Sequence, residues 1–184
     1  MARDFHKLIV CAALLLSLGA YAQPLQIFGG DEETEKKEFV EREVKLPPFP
    51  KDGSLLPFEA SAANTNRFFI DADSIVISDD GVVRYTMVVR SPSGAENISY
   101  EGIRCETTEQ KFYAFGRRDG TWSNVRAPAW RKITYKDVNR QYGVLYSNYF
   151  CPDGAPIRSA KDAIQRFKYG VPYGEPPRSS SGRY

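Results

Sequence analysis

Two strand-like runs between Arg67 and Arg90 are separated by a sharp turn signal. The first, RFFIDADSIVIS, is rich in residues that suit a pleated strand, and the following Asp79-Asp80-Gly81 favours a tight turn. The second, VVRYTMVVR, alternates so that one face carries Val83, Tyr85, Met87 and Val89. Together the runs predict an antiparallel β-hairpin at the beginning of the core.

The hairpin is followed by two more strand candidates. A turn signal at Pro92-Ser93-Gly94 precedes NISYEGIRCET, and KFYAFGRR follows it. Four antiparallel strands in succession form a meander.

Beyond Asp119-Gly120 the apolar spacing changes to that of helices. The first helical pattern has Thr134 as a possible cap and the apolar positions Val138, Tyr142, Leu145 and Tyr149. The second has Ser159 as its cap, Gly170 at its end, and the apolar stripe Ala160, Ala163, Ile164 and Phe167. The sequence therefore predicts an α+β fold: an antiparallel meander sheet of about four strands with one or two C-terminal helices packed on it.

The first 22 residues have the three parts of a cleavable secretory signal peptide. Arg3 and Lys7 precede the apolar run LIVCAALLLSL, and Ala20-Tyr21-Ala22 supplies the small-x-small cleavage pattern. The apolar run is shorter than the roughly 20 residues that a membrane span needs. We therefore expect an exported protein, periplasmic or alternatively secreted, with no stable membrane span after cleavage.

The expected domain organisation follows from this leader and from composition. Residues 1–22 are the expected signal peptide, and 23–57 form a charged and proline-rich lead-in. Because the lead-in has few apolar residues that could pack on the domain, we expect it to be extended and solvated. Residues 58–173 form a single globular α+β domain, and 174–184 form a flexible tail.

Cleavage would leave two cysteines and no histidine. Cys11 and His6 both lie in the leader, so Cys105 and Cys151 are the remaining thiols, and in an oxidising compartment we expect them to form a disulfide. A chain without imidazole lacks the usual base of serine and cysteine hydrolases and the usual ligands of catalytic zinc. No cofactor is predicted, whereas chemistry based on two carboxylates stays open.

The pattern of acidic side chains argues against a calcium-binding loop, and the net charge argues against a nucleic-acid-binding protein. The acids Asp71, Asp73, Asp79 and Asp80 do not fit a calcium loop, because Ile75 and Val76 occupy positions that such a loop needs, so no metal site is predicted. The whole chain has 25 basic and 23 acidic side chains, and removing Arg3, Lys7 and Asp4 leaves 23 and 22. A nearly neutral chain lacks the basic excess of nucleic-acid-binding proteins.

The segment FGRRDGTWSNVRAPAWRK concentrates cations and tryptophans. Such groups recur where proteins bind anionic polymers, sugars or other proteins. The candidate binding residues are Arg117, Arg118, Trp122, Arg126, Trp130 and Arg131, with Lys132 beside them. The structural alternative is that both tryptophans close the core and the cations lie in water.

Several blocks of the chain resemble one known family. The succession VVRYTMVVRSPSGAENISYEGIRC, FYAFGRRDGTW and LYSNYFC, which includes both cysteines, is similar to the cryptic neisserial protein family over roughly Val44 to Phe167. The resemblance implies an exported bacterial protein. It brings no activity, ligand or catalytic residue that could be transferred to this chain.

Three functions are compatible with these observations. The favoured one is a non-catalytic binding or scaffolding module of the bacterial cell envelope, with an envelope protein or polymer as partner. The second is a carboxylate-dependent hydrolase of cell-wall sugars, for which Glu101 and Asp73 are the candidate acids. The third is a small outer-membrane barrel with Tyr184 as its aromatic terminus, although four clear strands fall short of the eight that a barrel needs.

Overall fold

The strands between Leu55 and Lys132 form one antiparallel sheet in the computed structural model, which describes residues 38–61, 64–134 and 140–170. A 3₁₀ turn, Asp52–Ser54, precedes the sheet. The strands are β1 (Leu55–Phe58), β2 (Arg67–Ile77), β3 (Val82–Arg90), β4 (Glu96–Arg104), β5 (Glu109–Gly116), β6 (Trp122–Asn124) and β7 (Arg131–Lys132). β1 to β6 are neighbours in chain order, and β7 pairs with β5.

The predicted meander is confirmed as β2 to β5, but the expected number of strands is too low. The described part of the chain has seven, because β1, β6 and β7 add to the four that were predicted. These three contain two to four residues each, too few for a period-two pattern to stand out. The expected signal peptide and C-terminal tail lie outside the described residues.

Two helical segments cover one face of the sheet, called here the inner face. Helix α1 (Arg140–Val144) continues as a π-helical segment, Leu145–Phe150, and α2 spans Ala160–Tyr169. The predicted second helix is confirmed: the Asp162 amide donates to Ser159 Oγ at 3.1 Å, and Gly170 ends the helix with a φ of +82°. In the first predicted helix, Thr134 is not helical and Val138 lies outside the described residues.

Aromatic stacking fixes the helical layer on the inner face. The Phe167 ring of α2 lies parallel to Tyr149, with 4.1 Å between centroids, and it also contacts Phe58 of β1. Tyr85 of β3 stacks on Phe150 at 4.8 Å.

In the part of the chain described, no helix is both long and apolar enough to cross a membrane.

The expected disulfide joins the two layers. Cys105 directly follows β4, and Cys151 directly follows the π-helical segment. Both cysteines are 1% exposed, with 5.5 Å between their Cα atoms. The bridge therefore lies in the core and ties the sheet to the helices.

The opposite, outer face of the sheet is covered by residues 38–50, called here the strap. Val44 packs against Tyr100 and Tyr113, while the rings of Phe39 and Phe49 reach the two tryptophans described below. All residues from Val82 to Val88 are consequently buried on both faces. For this part of the lead-in, the expectation of a solvated segment is wrong, because its few apolar residues meet aromatic rings that the sheet presents.

Ion pairs add to the strap's contacts. Glu41 accepts hydrogen bonds from Lys111 Nζ at 2.6 Å and from the Tyr113 hydroxyl at 2.7 Å. It also lies 3.6 Å from the guanidinium of Arg84, which binds Asp80 at 2.7 Å. Burial opposes ionisation of Asp80, yet its hydrogen bonds from Arg84 and from backbone amides hold the pKa of that carboxyl below its usual value. The outer face is therefore held by charge pairs as well as rings.

Candidate functional site

A cavity of about 480 Å³ opens at one end of the inner face, and it is called here the inner-face cavity. It forms where the end of β3 meets the beginning of β4 and the end of β5, with α1 above them. Its walls are formed by Asn64, Asn66, Phe68, Met87, Val89, Glu96, Asn97, Ile98, Ser99, Phe112, Phe115, Gly116, Gln141 and Tyr142. The register brings these residues together, since Met87 pairs with Ser99, and Ser99 with Phe115.

A bulge in β5 gives the cavity its aromatic wall. Glu101 pairs with Phe112 and Tyr100 with Ala114, so that Tyr113 is the additional residue. Phe112 and Phe115 therefore lie side by side on the inner face, stacked with their centroids 5.3 Å apart. Phe112 also meets Tyr142 edge to face at 6.2 Å. The result is a row of rings that begins at Phe115, 47% exposed, and leads inward.

Uncharged polar groups form much of the remaining wall. The amide side chains come from Asn64, Asn66, Asn97 and Gln141, and each carries both donors and acceptors. Among the residues that the structure describes, the one charged residue in the wall is Glu96, and its carboxylate accepts a hydrogen bond from Arg90 at 2.7 Å. The lining is therefore close to electrically neutral.

Glu101 lies beneath the cavity and has no exposed surface. It accepts a hydrogen bond from Ser99 Oγ at 2.5 Å and one from the Tyr85 hydroxyl at 3.1 Å, and Tyr142 provides a third. Burial raises the pKa of this carboxyl to about 8, although the three hydrogen bonds act in the opposite direction. The group is therefore mainly protonated at neutral pH, and it is hydrogen-bonded to the hydroxyls of Ser99 and Tyr142, two residues of the cavity wall.

The structure divides the predicted basic and aromatic segment. Arg117 and Arg118 lie in the β5–β6 turn, whereas Arg131 lies on β7 beside Gln110, at the other end of β5. Six strand residues separate the two ends, which corresponds to about 20 Å. Arg117 donates to Ser123 Oγ at 3.1 Å. The cations therefore form two groups rather than one patch.

Three of the remaining cations of the segment are exposed to solvent, and the fourth, Lys132, binds the protein itself. Arg118, Arg126 and Arg131 are exposed and form no side-chain hydrogen bond or salt bridge within the described ranges. Lys132 Nζ donates to the Thr107 carbonyl at 2.7 Å. Three of the six candidate binding residues are thus available for contact with a partner.

Both tryptophans are half-buried and hold the strap. Trp122 Nε1 donates to the Pro47 carbonyl at 2.9 Å, and its ring packs on Phe49 at 5.3 Å. Trp130 meets Phe39 edge to face at 6.1 Å and lies under the ammonium of Lys111. Their indoles therefore contact this chain itself, which limits the surface they can offer to a ligand.

The two acids considered for hydrolysis are in different environments. Glu101 on β4 is enclosed, while Asp73 is exposed on β2, with β3 between the two strands.

The described ranges also contain no group of three or more histidine, cysteine, aspartate or glutamate side chains placed to hold a metal ion.

The cavity was not anticipated from the sequence, although one signal was present. In NISYE, the polar residues Asn97, Ser99 and Glu101 occupy alternate positions, so they share one face of a strand that is central to the meander. A polar row on a face that is expected to be apolar is a sign of a site.

Comparison with known proteins gives two matches. The sequence profile of the CNP1-like family matches residues 34–168, a range that contains the whole cavity. The chain is 28% identical over 154 residues to "Cryptic neisserial protein 1" of Neisseria gonorrhoeae (strain ATCC 700825 / FA 1090), which covers 74% of this chain and 75% of that relative. No solved structure matches the chain.

Proposed function

The chain belongs to the CNP1-like family, and from this premise we propose that it is a non-catalytic binding module exported to the bacterial cell envelope, with its ligand in the inner-face cavity. The observation that carries the proposal is the cavity itself. Its volume of about 480 Å³ lies in the usual range for ligand pockets of roughly 300–1,000 Å³. It combines aromatic rings with a few convergent polar groups, which is the usual composition of such pockets.

The exposure of Phe115 gives further support. Phe115 keeps nearly half of its surface in solvent although it is stacked on a second ring, so that apolar area remains in unfavourable contact with water. Contact with a ligand would remove that surface from water. Its position at the cavity mouth therefore favours a binding role over a purely structural one.

The export part of the proposal is supported by the disulfide between Cys105 and Cys151 and by the predicted leader. We place the protein in the periplasm, with secretion as the alternative. This assignment is tested by fractionating cells that produce the full chain and sequencing the amino terminus of the accumulated protein. An intact leader on protein retained in the cytoplasm would contradict it.

The alternative, a hydrolase of cell-wall sugars, has less structural support. Its mechanism needs two carboxyl groups that face the same glycosidic bond, about 5–10 Å apart. Glu101 is enclosed and Asp73 is exposed on another strand. Incubation of the purified protein with peptidoglycan decides between the two: release of soluble fragments would favour the hydrolase, and their absence the binding module.

Site-specific photocrosslinking in intact cells tests the binding site. A photoreactive amino acid at Phe115 is expected to give an adduct, because this ring lies at the cavity mouth. The same amino acid at Val76 is the matched control, since Val76 is equally exposed, at 46%, but lies elsewhere on β2. Equal adducts at both positions, or none at Phe115, would contradict the assignment of the ligand to this cavity.

A further inference from the structure

We propose that the inner-face cavity binds a neutral, N-acetylated oligosaccharide, with one sugar ring on Phe115 and the polar groups of the wall bound to its hydroxyl and acetamido groups. This inference rests on the proposed binding function and adds the chemical class of the ligand. Three properties of the cavity carry it: an exposed aromatic platform, a wall rich in amides, and the absence of an unpaired charge among the described residues of its lining.

The platform is the stacked pair Phe112 and Phe115. The face of an aromatic ring carries partial negative charge, which attracts the weakly positive C–H groups on the apolar side of a pyranose. Phe115 is open to solvent, while Phe112 behind it is held by Tyr142. The platform is therefore positioned before any ligand arrives, which limits the entropy lost on binding.

The hydrogen-bonding groups match a sugar better than a charged ligand. Each sugar hydroxyl both donates and accepts, and so do the side chains of Asn97 and Gln141 in the wall. An acetamido group is itself an amide and can pair with either of them. The hydroxyls of Ser99 and Tyr142 are already hydrogen-bonded to Glu101, so the amide side chains are the polar groups expected to bind the sugar.

The charges around the cavity disfavour ionic ligands. No lysine or arginine is among the described residues that line it, so an anionic sugar or a phosphate would find no counterion. Glu96 is the only acid in the described part of the lining and is already paired with Arg90. A cation would therefore have to compete with an existing ion pair, whereas a neutral saccharide would leave it intact.

The test is titration calorimetry on the purified mature protein, with three trisaccharides. The neutral probe is the trimer of N-acetylglucosamine; its de-N-acetylated, cationic counterpart and an acidic trimer of galacturonic acid are the comparisons. We expect binding of the neutral probe at least about tenfold tighter than of either charged one. Equal or tighter binding of a charged trimer, or no heat from the neutral probe at millimolar concentration, would overturn the saccharide assignment.

Variants locate the site. Phe115→Ala is expected to weaken binding of the neutral trimer about tenfold, from the loss of one ring contact, and Phe115→Tyr to retain it. Asn97→Asp, at an exposed position, should also weaken binding because it replaces an amide donor with a charge. Val76→Ala is the control and should bind normally. Undiminished binding by Phe115→Ala would place the saccharide elsewhere and contradict the inference.

The two proposals can fail separately. A specific crosslink at Phe115 in cells together with no binding of the neutral trimer would retain the binding module and reject the saccharide. Absence of both would reject the cavity as a site.

Discussion

Glu101 shows how a carboxyl group can be accommodated inside this core. The groups that face it from the neighbouring elements are the hydroxyls of Tyr85 on β3, Ser99 on its own strand and Tyr142 on α1. None of them is a cation, so nothing compensates the charge of the ionised form. The protonated form is favoured instead, and in that form one carboxyl oxygen donates a hydrogen bond to a neighbouring hydroxyl.

The stability of the protein should therefore depend on pH through Glu101. In the unfolded chain the carboxyl ionises near 4.5, and in the folded protein its pKa is about 8. Below 4.5 both states are protonated and the contribution of Glu101 does not change. Between these values only the unfolded state loses its proton, so the free energy of unfolding should fall as pH rises, by up to about 1.4 kcal/mol per pH unit, and level off above 8.

Glu101→Gln tests this by urea unfolding at pH 5, 6.5 and 8. The amide is neutral at all three, so the variant should lose most of the decline and be more stable than the parent protein at pH 8. Glu43→Gln, which changes an exposed strap residue, is the control and should retain the parent dependence. An unchanged decline in Glu101→Gln would show that another group is responsible.

At the scale of single residues, the sequence contains a signal for the face on which Glu101 lies but none for its surroundings. Alternation along NISYE was sufficient to place Ser99 and Glu101 on the same side of a strand. Their burial depends on Tyr142, which is some forty positions along the chain, and on where α1 lies over the sheet. Such long-range contacts leave no local periodic pattern.

The strap is the element that most changes the expected architecture. Its rings and Glu41 cover a face of the sheet that would otherwise expose Tyr100, Tyr113 and the guanidinium of Arg84. Gly116 makes room for it, since a Cβ there would come within 2.8 Å of Ile98 and 3.0 Å of the Phe49 ring. The strap is therefore part of the folded domain.

We expect Trp122→Ala to loosen the strap. The variant loses the hydrogen bond to Pro47 and the ring contact with Phe49, together worth about 2 kcal/mol. Limited proteolysis should then cleave within residues 38–50 faster than in the parent protein. Trp122→Phe keeps a ring and should lose only about 1 kcal/mol. Resistance of Trp122→Ala to cleavage would show that the strap is held by its other contacts.

Helix α2 offers a test of a feature that was correctly predicted. Ser159→Ala removes the acceptor for the Asp162 amide and should lower the free energy of unfolding by about 1 kcal/mol. Ser159→Asp restores an acceptor and should recover that loss. Equal stability of all three proteins would contradict the role of the cap.

Local signals explain which elements could be foreseen. The cap, apolar stripe and terminal glycine of α2 are all contained within twelve residues. The short strands β6 and β7 exist because they pair with β5, and the strap's position depends on rings contributed by distant strands. These features depend on tertiary contacts, so intrinsic propensity gives little indication of them.

Across the whole molecule, the disulfide is the main covalent constraint. It links positions 46 residues apart, and in the loop-closure model such a bridge stabilises the fold by about 4 kcal/mol. The double variant Cys105→Ser, Cys151→Ser should show a correspondingly lower free energy of unfolding in urea. The parent protein treated with reductant is the matched comparison and should lose a similar amount. Unchanged stability in both would show that the bridge contributes little.

The separated cations bear on any larger partner. An envelope protein or polymer that contacts Arg118 and Arg131 together must span about 20 Å along β5. We expect Arg117→Ala with Arg118→Ala to weaken such a contact partially, and the addition of Arg131→Ala to weaken it further, without unfolding. Retention of the partner by the triple variant in a pull-down would exclude this surface.

The additional residue at Tyr113 has a consequence for how the family can vary. If Tyr113 were accommodated in a regular strand without the bulge, it would pair with Tyr100 and Phe115 would pair with Ile98, so that the Phe115 ring would face the strap rather than the cavity. Insertions should therefore be rarer in relatives between Phe112 and Phe115, where an added residue needs a larger bulge to keep Phe115 on the inner face, than in the β5–β6 turn, where added residues leave the pairing of β5 unchanged. A multiple alignment can examine this expectation without further experiments on the protein.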